Sequence, residues 1–185
     1  LVDRHKDAIA FDRAATLAAT HAQSQIQFLG LVGNDSHYFQ LLANYVIYAD
    51  AALRAGREIL EHAQPAQTAL WPSGISGDIP IVLVRVSEED DIAFVRQMLR
   101  AHDYWRMRGL SVDLVILNER PASYAQDLQR ALDNIVRMAD QGATSTQGRI
   151  HMLRADLVGR DAVDALRAAA RVDLNARRGA LVDQL

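Results

Sequence analysis

The chain has 185 residues, a formal net charge of −3, 50% hydrophobic residues and 23% charged residues, which is enough for one globular domain with a real core. The slightly acidic balance gives no reason to expect the basic surface that nucleic-acid binding requires, so no nucleic-acid partner is expected. The lack of cysteine excludes disulfides, thiolate nucleophiles and cysteine metal sites. No apolar run approaches the roughly 20 residues that span a bilayer, so no direct membrane insertion is expected.

Residues 1–62 predict a helical hairpin. A first helix over residues 3–29 would place Ile9 and Leu17, with alanines between them, on a close-packed face. Glycines at 30 and 33 would end it, and a second helix would run antiparallel to the first as far as about residue 60. We expect this hairpin to cover apolar surface on a neighbouring sheet.

Residues 63–80 predict a loop rich in glycine and proline. Its apolar side chains are unfavourable in water, so we expect an ordered loop with Trp71 folded back on the hairpin. Gly74 and Gly77 should serve the backbone geometry of a tight turn. Asp78 should then accept hydrogen bonds from nearby backbone N–H groups or from an arginine.

Residues 81–185 predict a βαβαβα unit. The strands are expected at residues 81–86, 112–118 and 150–153, and the first of them is apolar except at Arg85. Each strand precedes a helix long enough for one crossover, so the second strand should lie parallel to the first and beside it. The predicted fold class is α/β: a helical hairpin, then a three-stranded parallel sheet covered by helices, packed as one domain of a larger chain.

Ligands of open parallel sheets bind beyond the carboxyl ends of the strands, which is where several polar residues of this chain are predicted to lie. These residues are Ser87, Glu88, Asn118, Glu119, Arg120, Arg154 and Asp156. Asn118 and Glu119 could bind sugar hydroxyls, and Glu119 could act as an acid or base. The alternative is that such groups only cap helices or stay solvated in loops.

Other motifs point away from cofactors and metals. The glycines at 74 and 77 precede a strand instead of following one and opening a helix, so a phosphate-binding loop is not expected. The six histidines have no HExxH spacing, and no metal site or cofactor is predicted. His102 and Trp105 lie on an apolar helical stripe and are predicted core residues. Trp71, in a loop, is the better candidate for stacking on a sugar ring.

Several stretches of the chain resemble the cyclic β-1,2-glucan synthases, whose sequences include a region related to glycoside hydrolase family 94 phosphorylases. The stretches that carry this resemblance are TLA at 16–18, FQLLA at 39–43, LWPSGISGDIPI at 70–81, AHDYWR at 101–106 and VDLVILNE at 112–119. Together they cover roughly residues 10–130. The final third of the chain resembles the family only in its pattern.

The resemblance implies a small part of a very large bacterial inner-membrane enzyme that makes cyclic glucan from UDP-glucose. The phosphorylase-related part of such enzymes is thought to control chain length. This segment has neither the DxD metal motif of the glycosyltransferase domain nor the all-helical barrel of the phosphorylase, so no catalytic residue is carried over. The resemblance therefore implies an accessory, non-catalytic domain that contacts neighbouring domains of the same polypeptide on the cytoplasmic side of the membrane.

Two alternatives stay open. The segment could be a β-1,2-glucan-binding module, for which the candidate carbohydrate contacts are Trp71, Asp78, Asn118 and Glu119. It could also be a small independent α/β enzyme that uses Asp78 or Glu119.

Overall fold

The computed structural model describes residues 8–31, 33–62, 67–121, 125–140 and 148–185. The α-helices in these ranges are α1 (Ala8–Phe28), α2 (Asp35–Tyr48), α3 (Arg57–His62), α4 (Gln67–Leu70), α5 (Ile92–Met107), α6 (Ala125–Asp140), α7 (Ala155–Val158), α8 (Arg160–Ala169) and α9 (Leu181–Gln184). The strands are β1 (Ile81–Val86), β2 (Asp113–Asn118), β3 (Ile150–Arg154) and β4 (Val172–Asn175). In the part of the chain that is described, no helix combines the length and the hydropathy needed to cross a bilayer.

The strands form one parallel sheet in the order β3-β2-β1-β4. β1 and β2 are buried along their whole lengths, which explains their nearly unbroken apolar sequences. Ile81 pairs with Asp113 and the register continues to Val86 and Asn118, so the predicted parallel pairing of these two strands is confirmed. Pro80 precedes β1, and its carbonyl accepts a hydrogen bond from the Asp113 N–H at 2.9 Å.

The predicted count of three strands is wrong, because the sheet has a fourth strand. The last of the three predicted strands covers residues 150–153, so β4 was not predicted. The structure ends α8 at Ala169, and Ala170 turns into extended backbone. The Arg171 N–H then donates to the Ile81 carbonyl at 2.9 Å and brings the chain beside β1. A four-residue strand in which Val and Leu alternate with Asp and Asn carries too weak a signal to be told from a helix end.

The helices cover both faces of the sheet. α5 and α6 pack on the face that carries Val82 and Val84 of β1, and α2 joins this layer against α5. α8 packs on the opposite face, which carries Ile81 and Leu83. A right-handed crossover from β3 to β4, on the far side of β1, requires the opposite face from the crossovers that lead from β1 to β2 to β3. The direction of the chain around the sheet therefore reverses between β1 and β4.

The N-terminal region departs from the predicted hairpin. α2 ends at Tyr48 because Ala49 adopts a left-handed conformation with φ of 52°, and Asp50 then caps a short 3₁₀ turn through its bond to the Ala52 N–H. The predicted close-packed face of α1 is also wrong, since Ile9 and Leu17 are exposed. Residues 1–7 and 63–66, which begin the predicted first helix and the predicted loop, lie outside the described residues.

Residues 67–80, the described part of the loop before β1, have a defined path, but the anchor is not the predicted one. Trp71 is 60% exposed, so the prediction that it folds back on the hairpin is wrong. A 3₁₀ turn places the Gly74 N–H on the Trp71 carbonyl and the Ile75 N–H on the Leu70 carbonyl. This turn directs Leu70 and Ile75 into the core and Trp71 outwards. Gly74 has a φ of +73°, so its predicted backbone role is confirmed.

Candidate functional site

The structure divides the four predicted carbohydrate contacts between two ends of the sheet. Asn118 and Glu119 lie at the carboxyl end of β2, whereas Trp71 and Asp78 belong to the loop that enters the amino end of β1. Strands of six residues span about 20 Å, so the two pairs are too far apart to contact a single sugar ring. They could meet one ligand only if it were an extended chain.

The reversal of chain direction between β1 and β4 marks the crevice where open α/β sheets usually bind ligands. In this chain the backbone N–H groups at that crevice are already hydrogen-bonded to a side chain. The Asp91 carboxylate accepts the N–H groups of Ser87 and Glu88 at 2.8 and 2.9 Å, just after β1. Arg177, in the turn after β4, lies 3.9 Å from the other oxygen of Asp91. These donors, which elsewhere could bind a phosphate, are engaged by the protein's own carboxylate.

Asn118 is buried and used within the protein. Its amide nitrogen donates to Gln129 of α6 at 3.0 Å, and its amide oxygen accepts the N–H of Arg120 at 3.0 Å. Both ends of the side chain thus hold the turn after β2 against α6. The Arg120 side chain contacts Glu89 at 3.3 Å, which ties this turn to the one after β1.

A chain of alternating charges on the α8 face of the sheet was not predicted. Arg85 of β1 donates to Asp173 of β4 at 2.8 Å, and Arg167 of α8 donates to the second oxygen of Asp173 at 2.9 Å. Glu119 completes the chain, 3.3 Å from Arg85. We call these four residues the Arg85–Asp173 network. It joins β1, β4, α8 and the turn after β2.

The network lies largely out of water, and both Arg85 and Asp173 are buried. Burial acts to lower the pKa of Arg85, but the charges of Asp173 and Glu119 and their hydrogen bonds outweigh it and raise that pKa above its ordinary value. The guanidinium therefore stays charged. The sequence does give one signal for it, since a lone arginine in an apolar strand requires a carboxylate partner.

The remaining strand-end residues form a separate pair. Arg154, the last residue of β3, binds Asp156 of α7 through two hydrogen bonds of 3.0 and 2.6 Å. This bidentate pairing raises the pKa of Arg154 and lowers the pKa of Asp156. The pair is at the edge of the sheet, on the far side of β2 from the crevice between β1 and β4.

The loop at the amino end of β1 is the more open surface. Trp71 presents its indole to solvent, and Asp78 is exposed, with its N–H donating to the Ser76 hydroxyl at 3.2 Å. Whether the Asp78 carboxylate accepts local N–H groups stays a prediction. The exposed indole is accessible to a ligand, and stacking of Trp71 on a sugar ring stays a prediction.

The two predicted core residues of α5 are confirmed. The Trp105 indole N–H donates to the Phe39 carbonyl at 2.8 Å, which fixes α2 on α5, and His102 Nε2 lies 2.9 Å from the Val112 carbonyl. Beside Trp105 the surface between α2 and α5 forms a groove of about 430 Å³. Gln40 in this groove donates to the Tyr104 hydroxyl at 2.8 Å.

No model of a known protein family matches the chain. Along its whole length the chain is similar to the cyclic β-(1,2)-glucan synthase NdvB of Rhizobium meliloti (strain 1021), with 37% identity over 186 aligned residues. It spans only 7% of the length of that relative. The chain is therefore related to a short segment of a cyclic glucan synthase.

Proposed function

We propose that this chain is an accessory, non-catalytic α/β domain of a bacterial cyclic β-1,2-glucan synthase. The observation that carries the proposal is the similarity to the synthase over all 185 residues, from the N-terminal helices to β4. The parent polypeptide would make cyclic glucan from UDP-glucose at the cytoplasmic side of the inner membrane. The segment would support neighbouring domains, including a part related to the family 94 phosphorylases.

The arrangement at the carboxyl end of the sheet supports a non-catalytic role. The Asp91 carboxylate accepts hydrogen bonds from the backbone N–H groups after β1, and the amide group of Asn118 is hydrogen-bonded through both its nitrogen and its oxygen. Asp173 accepts hydrogen bonds from two arginines. A catalytic acid, base or nucleophile must have an atom directed at the substrate. These groups are directed at one another and hold the strands, turns and helices together.

Activity of the complete polypeptide tests this role. In the parent synthase Glu119→Gln, at the most accessible carboxylate of the Arg85–Asp173 network, should leave the rate of glucan synthesis within about twofold of the parent. The control is the melting temperature of the same preparation, which should also be unchanged. A loss of a hundredfold or more, about 2.7 kcal/mol of transition-state stabilisation, with native melting would make Glu119 a catalytic group and overturn the proposal.

A second function, binding of β-1,2-glucan, is favoured by one observation: Trp71 is exposed in an ordered turn. Titration with β-1,2-gluco-oligosaccharides while recording tryptophan fluorescence tests it. The chain has two tryptophans, and the buried Trp105 is bonded to Phe39, so a ligand-dependent change would report on Trp71. Because these substitutions remove the fluorescent reporter, binding to the variants is measured by isothermal titration calorimetry: Trp71→Phe should retain binding through its ring, and Trp71→Ala should abolish it.

The control for this titration is the unrelated β-1,4-linked series of equal length. Saturable binding that survives in Trp71→Ala would remove this loop from the glucan site. No saturable change with either series, together with an unchanged melting temperature, would remove the glucan-binding function altogether. Turnover of UDP-glucose or of the oligosaccharides by the isolated chain would instead favour an independent enzyme that uses Asp78 or Glu119.

A further inference from the structure

α1 has the amino-acid composition of a buried helix, but its described side chains are largely exposed to solvent. Its 21 residues include seven alanines and five larger apolar residues, and its only Asp, Glu, Lys or Arg residues are Asp12 and Arg13. Nevertheless Ile9, Phe11 and Leu17 are 60%, 69% and 70% exposed. A helix this poor in charge is normally covered, because water gives it few favourable contacts. The described part of the chain leaves these three side chains of α1 uncovered.

The hydroxyl groups of α1 are already suited to a dry surface. Thr16, Thr20 and Ser24, spaced four residues apart, donate to the carbonyls four residues before them, at 2.8, 2.9 and 2.9 Å. Because these hydroxyls donate within their own helix, a covering partner need not supply an acceptor for them. The small side chains between them would let a partner backbone approach closely.

The core holds α1 at its C-terminal end. Leu29 and Leu31, directly after the helix, pack against the core cluster that contains α2 and α5. The described side chains between residues 11 and 20 are all exposed. A helix of 21 residues is about 30 Å long, so much of it extends away from the site of attachment.

We propose that α1 is a docking arm, covered in the complete polypeptide by an apolar helical surface that lies outside these 185 residues. The inference rests on the proposed function, since it requires the chain to be one domain of a longer synthase. The relative is about fourteen times longer than the chain, because the chain spans 7% of its length, and the alignment includes α1. A partner on the same polypeptide has a raised effective concentration, so contacts with a few apolar side chains are sufficient to bind it.

A membrane surface and a second copy of the chain are the two other candidates to cover α1, and the composition of the helix disfavours both. Helices that lie on a membrane surface carry lysines and arginines on their polar face, whereas Arg13 is the one such residue in α1. A second copy of the chain would have to associate through the same few apolar side chains without the benefit of a shared polypeptide. Both alternatives give distinct outcomes in the experiment below.

Photo-crosslinking of the complete polypeptide identifies the occupant. A benzoylphenylalanine placed at Phe11 should crosslink to a segment of the same polypeptide outside these 185 residues, located by mass spectrometry. Crosslinks between two copies, measured by mixing differently tagged chains, would overturn the proposal in favour of self-association. Crosslinks to lipid, or no protein crosslink at all, would also overturn it.

A matched pair of variants gives an independent measure. Leu17→Glu on α1 and Leu157→Glu on α7 replace the same residue at nearly equal exposure, 70% and 73%. In the isolated chain both should leave the melting temperature nearly unchanged. In the complete polypeptide only Leu17→Glu should lower it and speed proteolytic cleavage near α1. Equal effects of the two substitutions in the complete polypeptide would contradict the docking arm.

Failure of this inference can be distinguished from failure of the proposed function. Crosslinking and proteolysis report on the packing of α1 whether or not glucan is made. A complete polypeptide that covers α1 but makes no cyclic glucan would refute the proposed function and keep the arm. A polypeptide that makes glucan with α1 exposed would refute only the arm.

Discussion

Removal of the Asp173 carboxylate should be among the most destabilising single changes in the chain. In Asp173→Ala, Arg85 loses its 2.8 Å partner and keeps only Glu119 at 3.3 Å. Arg167 also loses its partner, but its side chain is partly exposed and can turn to water. The Asp173→Ala change therefore leaves the Arg85 guanidinium buried on the α8 face of the sheet with one of its two carboxylate partners removed.

The expected loss is about 3–5 kcal/mol, which is typical when one partner of a buried ion pair is deleted. For a chain of this size that corresponds to a fall in melting temperature of about 6–20 °C. Glu119→Gln is the matched control, because Glu119 is more exposed than Asp173 and a partly solvated pair contributes about 0–1 kcal/mol. The double variant Arg85→Met with Asp173→Leu should recover most of the loss, since it removes the buried charges together.

Equilibrium urea denaturation of the isolated chain, followed by circular dichroism, measures these differences. The predicted order of stability is Glu119→Gln close to the parent, then the double variant, then Asp173→Ala well below both. If Asp173→Ala falls within 1 kcal/mol of Glu119→Gln, the Arg85–Asp173 network does not hold the sheet and α8 together as described.

The remaining predictions concern other parts of the fold. Ile75→Ala should lower the free energy of unfolding by about 2–5 kcal/mol because Ile75 is fully buried. Trp71→Ala should change it by less than about 1 kcal/mol because Trp71 is exposed, and urea denaturation of both variants measures the difference. Gly148→Ala should cost more than about 1 kcal/mol, because Gly148 has a φ of +82° and an added Cβ would lie 2.1 Å from the Val112 carbonyl oxygen; an unchanged melting temperature would contradict this. Burial lowers the pKa of His151 below its ordinary 6.5, so its contribution to stability is complete above that pH and is lost as pH falls towards the lowered value. Stability measured from pH 8 to pH 5 should therefore fall less in His151→Gln than in the parent.

Strong local signals in the sequence predicted the centre of the fold. β1 and β2 are six-residue strands with runs of four apolar residues, and the helix between them has the length of one crossover, so their parallel pairing could be inferred. β4 could not, because its four residues alternate and its placement depends on a long-range pairing with β1. The end of α2 at Tyr48 was missed for a related reason, since no glycine marks the left-handed Ala49.

The candidate site was only partly predictable. Arg85 was noticed as the one polar residue of its strand, but no strand was predicted at Asp173, so the pairing of the two was hidden. The loop buries Ile75 and leaves Trp71 exposed, and the 3₁₀ turn that directs them depends on backbone hydrogen bonds that composition does not reveal. Propensity identifies which residues need partners, whereas topology decides which partners they meet.

Incorporation of labelled UDP-glucose, compared between the complete polypeptide and the isolated chain, tests the central claim most directly. The account predicts that the complete polypeptide, in membranes from cells that express it, forms cyclic β-1,2-glucan. It also predicts that residues 1–185 alone form none and release no glucose from glucan. A complete polypeptide that forms no β-1,2-linked product, or an isolated chain that turns over either substrate, would contradict the account.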